Sequence, residues 1–131
     1  MGDYSYYGGK HSKSSDPGMG PVREIITKKM QQLGVHLYIG GHDHVYKRTT
    51  ILNGLKNTSQ NAINSGTTYI TLGSAGPKFY HNVSFPWDHV VFNGKVQTGA
   101  VLQTNDETLL FNVYDRNGKI IDVFKLTQTE R

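Results

Sequence analysis

The most regular hydrophobic pattern in the chain lies between Pro21 and Gly34, in PVREIITKKMQQLG. Val22, Ile25, Ile26, Met30 and Leu33 recur at the spacing of helical turns, which predicts an α-helix. Pro21 suits the first turn, Glu24 sits early, Lys28 and Lys29 sit late, and Gly34 is a natural stop. The pattern then shortens. VHLYIGG, residues 35–41, is an apolar run too short for a helix and closed by glycines, which predicts a buried strand followed by a loop. TTYITLGSAG, residues 67–76, repeats that form, a strand opening into a Gly-rich turn. From Gly99 onward the apolar positions group into Ala100 to Gln103, Thr108 to Tyr114 and Ile120 to Leu126, separated by Asn105-Asp106 and by Arg116-Asn117-Gly118. Three strands in an antiparallel meander are expected there.

The remaining segments lack a clear period. Gly2 to Gly20, rich in Gly, Ser and Tyr, is expected to form a loop, residues 52–66 a polar connection, and residues 78–97 an aromatic-rich irregular segment. Helix, short turn, strand and histidine-bearing loop is an order typical of layered α/β folds. The expected class is α/β, α+β by content, with one main helix, a mixed sheet and a C-terminal meander. A length of 131 residues suits one domain covering 1–131, divided into a loop (1–20), a helix, strand and histidine loop (21–50) and a β-rich part (66–131).

Composition narrows the chemistry. The chain has no cysteine, so disulfides, zinc-thiolate sites and thiol nucleophiles are excluded, and a metal here would take nitrogen and oxygen ligands. Fourteen Lys and Arg against ten Asp and Glu give a net charge of +4. That excess suits an anionic ligand, but no basic stripe interleaves with the tyrosines, so nucleic acid is not an expected partner. No apolar run approaches bilayer length, which argues against a membrane span, and the opening residues lack the basic head and apolar stretch of a signal peptide. Localisation stays open; a secreted or cell-surface parent would carry its signal outside this chain.

The candidate chemistry sits in GGHDHVYKRT, residues 40–49. If this segment is extended, His42 and His44, two residues apart, present their imidazoles to one small volume while Asp43 faces away. Glycines at 40 and 41 clear space for a loop to wrap an ion or a phosphate. Imidazoles at the end of a buried strand need partners, which argues against simple core packing.

Gly-His-x-His followed by a hydrophobic residue, Tyr, a variable residue and Arg resembles the last metal motif of the calcineurin-like metallophosphoesterases, in its purple acid phosphatase form. TTYITLGSAG resembles the strand and turn that follow this motif, and LLFNVYDRNGKIIDVFKL the family's closing strands. The resemblance implies part of an αββα sandwich and a dinuclear-metal phosphohydrolase that cleaves phosphomonoesters by attack of a metal-activated water. It implies that His42 ligates one ion and His44 the other, the ions being Fe, Zn or Mn. YYGGKHSKSS resembles the family's Tyr-x-x-Gly-x-His-Ser stretch, which implies that His11 orients phosphate or acts as general acid at the leaving oxygen. Tyr46 and Arg48 are candidates for the substrate pocket; the alternative, which we favour, is that they stack on the sheet or pair with an acid.

The family's early motifs, Asp-x-His, Gly-Asp and Gly-Asn-His-Glu or Asp, have no counterpart in the chain, and Gly2 stands where a metal-binding histidine is expected. Neutral imidazoles compensate none of the charge of two metal ions, so carboxylates must come from elsewhere. The expectation is therefore the carboxyl-terminal half of a catalytic domain, whose partners are the missing N-terminal half and a phosphate ester, and which alone is inactive. The competing expectation is a non-enzymatic β-rich binding domain. His36, in the strand, is expected to be a packed or edge histidine; His81 and His89 sit in the aromatic segment, which either covers an active-site mouth and sets substrate preference or closes the lower edge of the core, and the glycosylation-like sequences at Asn57 and Asn82 are given no role.

Overall fold

The computed structural model of the chain describes residues 20–50, 52–53, 56–57, 66–81 and 83–127. Helix α1 (Gly20–Gln32) forms where the 3.6-residue period predicts it. It ends in a Schellman cap: the Val35 N–H donates to the Met30 carbonyl and the Gly34 N–H to the Gln31 carbonyl, both at 3.0 Å. Gly34 closes the motif at φ +67°, a conformation that side chains with a Cβ resist.

The face that α1 buries is only part of its apolar stripe, with Ile26 and Met30 half-buried on it. Arg23 and Thr27 are buried, whereas Val22, Ile25 and Leu33 are exposed. The Arg23 guanidinium lies 5.4 Å from the centroid of the Trp87 ring, and Thr27 Oγ1 satisfies itself on the Arg23 carbonyl at 2.7 Å. A flat cation stacked on an indole thus seats the helix where aliphatic packing was the sequence expectation.

Among the described residues, a four-stranded mixed sheet has the order β1-β5-β2-β6, built from β1 (Leu37–Gly40), β2 (Tyr46–Thr49), β5 (Thr68–Leu72) and β6 (Asp88–Phe92). β1 runs parallel to β5, and β2 antiparallel to both β5 and β6. A short ribbon pairs β3 (Leu52–Asn53) with β4 (Lys56–Asn57). The meander of β7 (Thr98–Thr104), β8 (Thr108–Asp115) and β9 (Ile120–Thr127) forms a separate three-stranded sheet. β6 corrects the expectation of an irregular segment over residues 78–97; it was missed because its apolar run, Val90-Val91-Phe92, is only three residues long and lies between His89 and Asn93.

The main core lies between the two sheets. Tyr46 and Ile70 from the mixed sheet meet Phe111, Val113, Phe124 and Leu126 from the meander. Tyr69 and Leu52 form a second cluster, with Tyr38 and Trp87 against it. Strand periodicity explains the division, since Ile70 and Tyr69 are neighbours and must face opposite ways. The chain is thus mixed α+β, mostly strands, with one helix among the described residues.

Gly73 joins the sheets. Its φ of +97° turns the chain at the end of β5, and a Cβ there would overlap the Thr98 hydroxyl. That hydroxyl donates to the Leu72 carbonyl at 2.7 Å, and the Thr98 N–H donates to the Ser74 carbonyl at 3.1 Å. Close approach of β7 to this turn therefore requires glycine.

Candidate metal centre

β1 and β2 flank β5, so the five residues between them, Gly41 to Val45, must cross over the carboxyl end of β5. Gly40 lies opposite Thr71 on one side and Tyr46 opposite Leu72 on the other. Crevices beyond the carboxyl ends of parallel strands are favoured ligand sites in α/β sheets, because loops diverge there and leave space.

The crossing is not extended. The Asp43 N–H donates to the Gly41 carbonyl and the Val45 N–H to the Asp43 carbonyl, both at 2.9 Å, making two successive three-residue turns centred on His42 and His44. His42 takes φ +72°, the only positive φ at a non-glycine among the described residues. This is the left-handed γ-turn, a rare and strained geometry for a residue with a Cβ. The expectation that an extended backbone aims both imidazoles into one volume is corrected: His42 stands exposed at the apex, His44 is half-buried, and Asp43 is fully buried between them.

His44 is braced by the loop after β5. Its Nδ1 lies 2.9 Å from the Lys78 carbonyl oxygen. A carbonyl can only accept, so Nδ1 carries the proton and Nε2 is the lone-pair nitrogen of the neutral ring. The imidazole stacks on Tyr80 at 4.8 Å and 13°, and the Tyr80 N–H donates to the His44 carbonyl at 3.2 Å. Three contacts from one loop fix both ring orientation and tautomer. Donation of the second ring nitrogen to a carbonyl is the usual companion of a metal-ligating histidine.

Beyond the loop, β2 is central in its sheet and all four of its residues are buried. Tyr46 and Arg48 face the meander. Asp122 accepts from the Tyr46 hydroxyl at 2.6 Å, from Arg48 Nε at 2.7 Å and from Arg48 Nη2 at 3.0 Å. Burial acts to raise the Asp122 carboxyl, but the bonds from Arg48 and Tyr46 outweigh it and hold Asp122 below its ordinary value. Burial, and then the bond to Asp122, push the Tyr46 hydroxyl far above an ordinary phenol. The structure therefore places both candidate pocket residues in the interior on an acid from the other sheet.

Lys47 faces the opposite way. Its ammonium donates to Asp88 at 2.7 Å and to the Val83 carbonyl, and lies 4.8 Å from the centroid of the Phe85 ring. Burial pushes Lys47 down, against the bond and charge of Asp88. It also pushes Asp88 up, against the Lys47 bond. This tether holds the segment 83–88 to the sheet, and sequence reasoning missed it; a buried lysine betrays itself only through an acid 41 residues away.

His11 lies outside the described residues. Among the described residues, no three His, Asp or Glu side chains form a group that could hold a metal ion. His44 fits a metal by its tautomer and bracing, but a complete ligand set would need groups beyond these residues. No family model matches the chain, and neither a curated protein nor a solved structure does.

Proposed function

We propose that the chain is the carboxyl-terminal portion of a dinuclear-metal phosphohydrolase, its catalytic domain an αββα sandwich, acting on phosphomonoesters. The observation that carries this reading is the Nδ1 bond from His44 to the Lys78 carbonyl, which leaves Nε2 with a lone pair free to ligate an ion. The strained apex at His42 supports it, since such backbone cost persists where function repays it. His42 and His44 would each hold one ion, of Fe, Zn or Mn. Paired ions polarise a phosphoryl oxygen and supply hydroxide near neutral pH.

Carboxylate ligands would come from a preceding half of the domain. Two features support a seat for that half. Among the described residues, β1 is an edge strand with Ile39 exposed, and Val22, Ile25 and Leu33 of α1 are exposed as well. An open parallel edge beside exposed aliphatic residues is a surface that further strands and helices cover in layered folds. The chain alone would then be inactive.

The test uses the chain extended by its natural upstream sequence. Bound Fe, Zn or Mn and hydrolysis of 4-nitrophenyl phosphate are expected, both lost in His42→Ala and His44→Ala. A reading frame that opens at Met1, or an extended protein with neither metal nor hydrolysis, would overturn the proposal in favour of a β-rich binding domain.

A further inference from the structure

A cavity of about 170 Å³ opens beside His44. Phe79, Tyr80 and Phe92 give it aromatic walls, Val45 adds a buried aliphatic surface, and the exposed Asn93 and Lys95 form a polar rim. We propose that it is the leaving-group subsite of the phosphatase centre and takes a single aromatic ring, so that the preferred substrates are aryl phosphomonoesters. This rests on the metal reading of His44, one of the residues that line the cavity.

Size makes the selection. An apolar cavity of about 150 Å³ holds one benzene ring, so this pocket has room for one ring, whereas the fused rings and sugar of a purine nucleoside would project past its rim. Aromatic walls favour a planar ring through offset and edge-to-face contact, whereas a polyol would lose its hydrogen bonds to water there. The Lys95 ammonium at the mouth favours the anionic ester. In the hydrolysis, water adds its oxygen to phosphorus, the bond from phosphorus to the aryl oxygen breaks, and that oxygen takes up a proton from the water, giving phenol and inorganic phosphate.

Amide chemical-shift titration of the chain, with phenol, phenyl phosphate, adenosine monophosphate and glycerol 2-phosphate, tests the subsite without turnover; Zn²⁺ is titrated separately into the chain extended by its natural upstream sequence. Phenol is expected to move Phe79, Tyr80 and Phe92 to Lys95 saturably, and adenosine monophosphate and glycerol 2-phosphate to bind roughly tenfold more weakly or not at all. A Cβ at Gly94 would overlap the Phe92 ring. Gly94→Ala is therefore expected to weaken phenol binding roughly fivefold, within the range of one aromatic contact. Should that variant fail to fold, Lys95→Ala serves instead, leaving phenol affinity unchanged and weakening phenyl phosphate about fivefold, as a single rim charge should. Equal or tighter binding of adenosine monophosphate overturns the proposal. Zn²⁺ shifts at His42 and His44 without a phenol response overturn the subsite alone. A phenol response without any Zn²⁺ response keeps the ring pocket but overturns its role beside a metal centre.

Discussion

Replacing Asp122 by Asn tests the junction between the two sheets. The carboxylate accepts three hydrogen bonds, two from Arg48 and one from Tyr46, and both partners are buried. An amide keeps one acceptor oxygen but turns an NH₂ toward donors and leaves the guanidinium without a counter-charge. Removing one partner of a buried pair costs about 3–5 kcal/mol, and the retained oxygen places Asn near the lower end. Tyr46→Phe deletes a single bond to a charged acceptor and should cost about 1.5 kcal/mol. In urea, with a slope of about 2 kcal/mol per molar, Asp122→Asn should lower the unfolding midpoint by about 1.5 M and Tyr46→Phe by about 0.7 M. The double variant Arg48→Met with Asp122→Leu should recover most of the loss, because apolar groups of similar volume replace an ion pair without stranding a charge. A midpoint shift below about 0.3 M for Asp122→Asn, the size of a surface change, would refute the buried cluster.

Other outcomes follow from the same geometry. Asp122 is held below its ordinary carboxyl value of 3.8, so its contribution is complete above pH 3.8 and is lost as pH falls through its folded value; the urea midpoints of wild type and Asp122→Asn should therefore converge in acid. The Tyr46 phenol is pushed upward, so stability should fall as pH rises above the ordinary tyrosine value of 10.0, with a shallower alkaline slope in Tyr46→Phe. His42→Gly should raise stability by about 1 kcal/mol in a thermal melt by relieving the left-handed turn, while weakening Zn²⁺ binding. Gly73→Ala combines an unfavourable φ with overlap on Thr98 and should cost about 3 kcal/mol in urea unfolding; a loss under about 1 kcal/mol would contradict the close approach of β7.

Periodicity revealed α1, β1, β5 and the three strands of the meander, because each carries a clean repeat and ends in residues with a conformational reason to stop it. The Schellman cap at Gly34 and the turns at Asn105 and Asn117 belong to that local code. What stayed hidden depends on distant partners. Arg23 turns inward against the ring of Trp87, and Lys47 is buried against Asp88 and the Val83 carbonyl. The two-residue spacing of His42 and His44 suggested a shared direction, but that rule needs an extended backbone, and two tight turns replace it. The brace on His44 is a main-chain carbonyl, a group that every residue carries and no sequence motif can advertise.

The link between Arg48 and Asp122 spans 74 residues and draws its carboxylate from the last described strand. During synthesis the central strand β2 leaves the ribosome long before that acid exists. A desolvated guanidinium has no counter-charge until the hairpin of β8 and β9 closes, so the mixed sheet cannot consolidate before β9 has been made. Truncations that remove only β9 should thus unfold the distant histidine loop as thoroughly as damage within it, and translation that stalls before residue 122 should yield chains captured by chaperones.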